Sequence, residues 1–388
     1  PDLDPTAEDG IWRSMSMNEG GPSGPRRLAV VLFNLGGPDS PAAVQPFLTN
    51  LFTDPAILRF PAVLRIPLGR FVAWRRTKAA TENYAILGGK SPLRELTEEQ
   101  ARALEGVLAA EGVEARCFVA MRYWHPFTEE AVRQVKEWGA DEVLLLPLYP
   151  QFSTTTTGSS LTVWHAAAKK AGLSVPVTTL CCWHSDEGYA EATAAIVRRA
   201  LEEARAALPA GAKLRLLFSA HGLPETIVKQ GDPYQWQVER SAAAVLAALD
   251  MPELDSAICY QSRVTPQKWL GPSTEEEIAR AAADGTAILV CPIAFVSEHS
   301  ETLVELDVEY RELAEHKGVP GYFRVPAQNS DPAFIRAVAA LVARARAETR
   351  GSRDAAGGKL CSFAGGRQCP KAHTGCPHSA AQPLRSAA

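Results

Sequence analysis

Short apolar runs alternate with amphipathic stretches along this chain in the order strand, helix, strand, helix, strand, and the order occurs twice. The first series opens on the apolar run at residues 28–33 and the turn Asn34-Leu35-Gly36-Gly37-Pro38. Helical spacing follows over residues 93–111, a strand at 115–121, a helix at 128–138 and a strand at 142–148. The second series opens on a strand at 214–218. It continues with a helix at 234–249, a strand at 256–260, a helix at 274–284 and a strand at 287–296. Runs apolar throughout suit strands covered on both faces. The pattern predicts two parallel-sheet α/β domains joined by a helix at 188–207. A last helix at 332–349, with Phe334, Val338, Leu341, Val342 and Ala345 on one stripe, is expected to fold back over the first domain.

These breaks suggest a division into a polar, Gly- and Pro-rich leader (1–26), a first domain (27–207), a second domain (208–330), a closing helix (331–350) and a Cys-rich tail (351–388). Residues 57–84 interrupt the regularity. Leu58, Phe60, Leu64, Ile66, Phe71 and Trp74 interleave with Arg59, Arg65, Arg70, Arg75 and Arg76, with only weak strand signals and two prolines. Composition alone leaves two readings: a buried helical excursion, or a lip facing anionic headgroups with snorkelling cations.

After residue 296 the spacing turns helical. Glu298, Glu301, Glu305 and Glu309 fall on one face, with His299 at its head. Stacked carboxylates cost stability unless they are solvated, protonated or bound to a cation. Most such faces are merely solvated. This one begins at the carboxyl end of a buried strand, where open α/β sheets hold their ligands. Oxygen donors with one imidazole suit a divalent metal in passage. Ser219-Ala220-His221-Gly222-Leu223-Pro224 follows the strand at 214–218, so His221 is a candidate proton acceptor at the same end of the sheet.

Composition narrows the field. A net charge of −4 gives no sign of nucleic-acid binding, and no apolar run approaches a membrane span. The eight cysteines, in a chain without a recognisable export signal, suggest thiols or metal ligands in a reducing compartment rather than disulfides. Neither a P-loop nor a dinucleotide fingerprint is present.

Seven stretches in one order resemble a single family, the ferrochelatases. They are residues 34–39, Gly88-Gly89-Lys90-Ser91-Pro92-Leu93, residues 122–126, 149–160, 219–224 and 297–310, and Tyr260-Gln261-Ser262-Arg263-Val264 together with Trp269-Leu270-Gly271-Pro272. The resemblance runs from about residue 28 to 341. It implies two similar Rossmann-like domains with a cleft between them, the chelatase-like arrangement. It implies insertion of Fe²⁺ into protoporphyrin IX with loss of two pyrrole protons, the last step of haem synthesis. His221 then maps to the essential histidine, as proton acceptor or iron ligand, and Glu301 to the key glutamate. Glu305 and His299 accompany them on the path of metal or protons. Leu35 and Phe295 map to apolar walls that bend the macrocycle. Tyr84, Arg122, Tyr123 and Trp269 map to the pocket, and Arg76, Ser91 and Ser262 to positions near the porphyrin carboxylates. The lip at 57–84 maps to a membrane-touching rim, so the resemblance implies a cytoplasmic protein peripheral on the inner membrane. It allows monomer or homodimer. The rival within the fold is a chelatase for another tetrapyrrole or metal; the rival outside it is a non-catalytic haem or metal carrier.

The tail spaces Cys361, Cys369 and Cys376 within a coreless stretch. Thiolate ligation would order it, by zinc or a [2Fe–2S] cluster, each of which needs four such ligands. Many ferrochelatases carry a [2Fe–2S] cluster with one cysteine from the body. Thr154 occupies that body position here, and Cys182 of the Cys181-Cys182 pair is the expected replacement.

Overall fold

The fold was taken from a computed structural model, which describes residues 26–263, 267–349 and 351–383. The expected leader and Val264 of the Tyr260–Val264 motif therefore lie outside the described residues.

The first sheet is built on β1 (Leu28–Asn34), β2 (Ala115–Met121), β3 (Glu142–Pro147) and β4 (Val177–Leu180), in the order β2-β1-β3-β4 and all parallel. Alternate residues of β1 feed opposite faces. Leu28, Val30 and Leu32 pack with Leu104, Leu108 and Val342, whereas Ala29, Val31 and Phe33 pack with Val132, Val135 and Trp164. Helices thus cover both faces, which is why these strands carry no polar alternation. Asn34 stands opposite Met121, so β1 and β2 deliver Leu35 and Arg122 to one edge.

The second sheet comprises β5 (Leu214–His221), β6 (Ser256–Gln261), β7 (Ala287–Pro292) and β8 (Tyr322–Arg324), again parallel, in the order β6-β5-β7-β8. His221 is the last residue of β5, paired with Gln261 of β6. The helix Glu187–Ala207 joins the two sheets, and the helix Pro332–Ala347 packs against it and against Leu93–Ala110 of the first layer. Arg344 with Asp186 and Arg346 with Glu142 tie that closing helix down.

Several boundaries differ from the expectation. The strand expected at 287–296 ends at Pro292, which donates no N–H, and the chain then turns toward the site. Most of the lip is a 25-residue helix, Ala62–Ile86, that carries Pro67 inside it and leaves large apolar side chains exposed rather than buried. Its exposed residues include Val63, Leu64, Phe71 and Trp74, at 57 to 80% exposure. The last four residues of the 149–160 stretch open a helix, Thr157–Ala171. The tail adds three short strands to the first sheet: β9 (Ser352–Arg353), β10 (Lys359–Cys361) and β11 (Gln382–Pro383). β10 pairs parallel with β4, and β9 and β11 follow antiparallel.

The acidic stretch departs most from expectation. Residues Glu301–Glu309 form a π-helix that continues as an α-helix, Tyr310–Lys317. Glu298 leaves the column altogether. It is buried and paired with Arg324 at 2.8 Å. Glu309 lies at the exposed end, accepting from Asn83 of the lip helix at 3.1 Å.

Candidate active site

The second sheet supplies the reactive groups. β5 ends at His221, whose carbonyl accepts the Tyr234 hydroxyl at 3.1 Å. Gly222 follows in a tight passage, since a Cβ there would lie 2.8 Å from the Gln261 carbonyl and 3.3 Å from the Trp269 ring. Only glycine lets β5 leave the sheet at that point with the imidazole still facing the π-helix. His221 Nδ1 meets Glu301 Oε2 at 2.9 Å. Burial by itself would lower the basicity of His221. The carboxylates of Glu301 and then Glu305 outweigh it, and the imidazole is raised above its ordinary value. Burial likewise opposes ionisation of Glu301, yet its contacts with His221 and His299 hold it well below the usual carboxylate range.

Glu305 lies one π-turn on and behaves oppositely. Burial, then repulsion from Glu301, raises it above an ordinary carboxyl. Its Oε2 accepts from Ser262 Oγ at 2.5 Å and Gln261 Nε2 at 3.0 Å, and its Oε1 from the Tyr310 hydroxyl at 3.1 Å. Adjacent carboxyls pushed apart in this way differ in proton affinity, an arrangement suited to passing protons or seating a cation. His299 Nε2 approaches Glu301 at 3.9 Å, and its ring lies 4.5 Å from that of Phe295. Tyr84 reaches over from the lip helix to Ser300 at 3.4 Å. Burial and the nearby Glu301 outweigh that bond and push its phenol up to about 12. His221, Glu301, Glu305, His299, Phe295, Ser262, Tyr84 and Trp269 are thus brought together.

The first sheet contributes a second wall. The Arg122 and Tyr123 amides donate to the Asn34 and Leu35 carbonyls at 2.9 Å each, so Leu35 is fixed beside both. Two of the expected residues, Tyr123 and Ser91, sit deeper than a pocket lining would. Tyr123 is fully buried, and its hydroxyl donates to Asp54 at 2.7 Å. Arg122 donates to the same Asp54 oxygen at 2.7 Å. Ser91 is buried against Gly37, its hydroxyl accepting the Leu93 amide at 3.3 Å. Arg76 stands on the exposed lip helix with its guanidinium 5.7 Å from the Phe52 ring centroid. Asp54 is the residue sequence reasoning missed. It is 4% exposed and also accepts from Ser159 Oγ at 2.8 Å. The signal available was a lone carboxylate, Asp54-Pro55, closing an apolar helix ahead of the lip.

The tail cysteines gather at the end of β4. Cys181 donates its amide to the Cys361 carbonyl at 2.8 Å, and its thiol lies 3.6 Å from that of Cys182. The thiol bond from Cys181, helped by His184 against the cost of burial, pulls Cys182 down to about 5. Cys361, Cys369 and Cys376 all feel the charge of Cys182, and Cys369 also accepts from Gln237 Nε2 at 3.1 Å. Thr154 is engaged elsewhere, donating to Asp232 at 2.7 Å. Among the described residues no three His, Cys, Asp or Glu side chains already surround a common point. The donor set nevertheless suits a thiolate-bound group: buried sulfurs from two segments, one held as thiolate and one hydrogen-bonded by an amide.

A ferrochelatase family model matches residues 27–346 of the chain. The chain belongs to the ferrochelatase family. It is 53% identical over 347 residues to the ferrochelatase of Caulobacter vibrioides, covering 89% of this chain and 97% of that one. The ferrochelatase of Phenylobacterium zucineum is 56% identical over 316 residues, with 81 and 90% covered. That of Hyphomonas neptunium is 51% identical over 360 residues, with 91 and 95% covered. SirB from Bacillus subtilis superposes with a TM-score of 0.47 at 13% identity, over 82% of this chain and 95% of that one, too loosely to carry weight. The chain is therefore an enzyme with ferrochelatase activity, a lyase acting on ferrous iron and a porphyrin. No helix among the described residues is long and apolar enough to cross a membrane.

Proposed function

We propose that this ferrochelatase places Fe²⁺ in protoporphyrin IX between the two walls just described, with His221 accepting pyrrole protons and Glu301 receiving the positive charge. The contact of His221 with Glu301 at 2.9 Å carries the reading. Nδ1 is occupied by the carboxylate, so Nε2 is the ring atom available to a pyrrole N–H. The carboxylate strengthens the base and offsets the imidazolium it becomes. A cation arriving at Glu301, Glu305 and His299 draws off that same carboxylate charge, which favours neutral His221 at the moment it must accept a proton. Glu305, with the higher proton affinity of the two acids, is the onward acceptor toward Glu309 and solvent. Leu35 and Phe295 press the macrocycle out of plane, exposing nitrogen lone pairs that a flat ring hides. Arg76 and Ser262 attend the propionates, Ser91 braces the turn at Gly37 from behind, and Arg122 and Tyr123 act through Asp54 as support for the wall.

The test is His221→Ala. Metallation is expected to fall by about 10²-fold or more while porphyrin quenching of intrinsic fluorescence persists; an undiminished rate in that variant rejects the mechanism. Parallel assays with protoporphyrin and coproporphyrin decide the substrate, and the apolar lip favours the former.

The lip is read as a peripheral contact with the cytoplasmic face of the inner membrane, supported by exposed Leu64, Phe71 and Trp74 beside Arg70 and Arg75. For the tail we favour a [2Fe–2S] cluster held by Cys182, Cys361, Cys369 and Cys376. Bound there, such a group would cross-link the tail to β4 and supply no chemistry to iron insertion, which involves no electron transfer. Iron and acid-labile sulfide near two each per chain are expected in the purified protein. Zinc alone, or neither element, rejects this assignment.

A further inference from the structure

A π-helix is a rare and poorly bonded form, so a run of nine residues in that state needs something to hold it. The structure assigns that task to Arg324, and we infer that Arg324 is a positioning residue for metal insertion. Its guanidinium sets the register of the π-helix that presents Glu301 and Glu305 to His221. The inference rests on the reading of that site given above.

Arg324 ends β8, where its backbone is registered opposite Val290 of β7, so it is rooted in the second sheet. Its side chain is 9% exposed. Nε and Nη2 each lie 2.7 Å from one oxygen of Asp307, a two-point fork on the middle of the π-helix. Nη1 lies 2.8 Å from Glu298 Oε1, just ahead of that helix. Glu298 is pinned further, accepting the Ala327 amide at 2.9 Å and donating its own amide to Asn329 Oδ1 at 3.0 Å. One planar cation thus grips the chain on both sides of Glu301 and Glu305. A bidentate fork constrains rotation as well as distance. Rewinding Glu301–Glu309 with an α pitch would turn Asp307 relative to residue 298 and break the grip. The same rotation would carry Glu301 away from His221. Arg324 itself faces Asp307 and Glu298 and touches neither His221 nor Glu301, so it acts through the helix.

The experiment compares Arg324→Lys, which keeps the charge and loses the fork, with Asp307→Asn, which keeps the shape and weakens it. Initial rates are measured against both iron and protoporphyrin, with thermal melting as the check on folding. The expected result is a fall in kcat of about tenfold or more, as for a misplaced catalytic group, with porphyrin KM and binding unchanged. Arg133→Gln is the control, because its pairing with Glu137 at 3.8 Å lies on the surface of the helix Thr128–Trp138, away from the π-helix, and its kcat should hold. In a Glu301→Gln background, Arg324→Lys should cost less than it does alone, since part of its effect passes through that carboxylate. Full kcat in a folded Arg324→Lys or Asp307→Asn overturns the inference. So does a loss in kcat matched by loss of porphyrin binding, or one additive with Glu301→Gln. Failure of the site reading itself is distinguishable, because Glu301→Gln alone would then leave the rate intact.

Discussion

At the residue scale the chemistry depends on how one imidazole and two acids divide their protons. His221 is raised by its neighbours, so it is lost as a proton acceptor when pH falls through a value above its ordinary 6.5. The acid limb of the metallation rate should therefore lie above 6.5. Removing the charge by Glu301→Gln leaves burial as the dominant influence, and the limb should move below that value while the maximal rate drops. A limb that stays in place in a pH–rate series would show that another group titrates. His221→Ala should cost about 10²- to 10⁴-fold in rate, the range of a lost general base. His221 and Glu301 were legible because each follows an apolar strand in a motif of specific composition. The roles of Glu298 and Asp54 were not. A carboxylate three residues ahead of the next in sequence looks alike whether it faces solvent or a buried arginine, and the Arg324 that Glu298 meets is 26 positions away. Tyr123 was expected in the pocket and Ser91 near the porphyrin carboxylates, but spacing gives no depth, and both prove buried.

At the element scale, local periodicity separated strands from helices well where burial was uniform. It failed at the π-helix because apolar spacing near four residues satisfies either pitch over two turns. It also missed β4 and β8, whose few residues take their shape from neighbouring strands rather than from their own propensity. The lip helix shows a different conflict. Its apolar residues point outward, and Arg65 is spent on the chain itself, donating to the Thr53 and Phe60 carbonyls at 3.0 and 2.9 Å. Replacing Arg65 would test folding of the lip, so the membrane contact is better probed by Leu64→Ser, Phe71→Ser and Trp74→Ser. Each fully buried large apolar side chain is worth about 1.5–3 kcal/mol, so each change should lower vesicle partitioning by about tenfold. Reversing Arg70 and Arg75 to Glu should remove the preference for anionic vesicles, at about 1 kcal/mol per cation. Unaltered co-sedimentation in the triple variant would mean that this face meets something other than lipid.

At the scale of the whole molecule, one apolar core runs from Leu28, Val30 and Leu32 of the first sheet to Leu216, Phe218 and Leu289 of the second, and polar contacts join the two as well. Gln100 of the first layer donates to the Val296 and Asn329 carbonyls at 3.1 and 2.9 Å and accepts from Ser297 at 2.9 Å. Arg59 at the foot of the lip reaches Gln230 at 2.5 Å and Thr154 at 3.0 Å. Gln100→Leu removes the first set and leaves the Asn329 carbonyl and the Ser297 hydroxyl unmet, while the Val296 carbonyl keeps the Asn329 amide; each unmet buried group costs about 1–3 kcal/mol. A lower melting temperature is expected, with metallation lost ahead of secondary structure as temperature rises. Simultaneous loss of both would mean the walls do not separate before they unfold.

The tail occupies the margin of the first sheet, where β10 lies along β4 and Gly375 donates to the Gly231 carbonyl at 2.9 Å. A protein clipped after the closing helix would therefore lose more than its thiols. It would bare a ladder of unanswered amides and carbonyls on β4, a template for a neighbouring molecule's strand. Whatever keeps those cysteines gathered also guards the chain against sticking to its own copies.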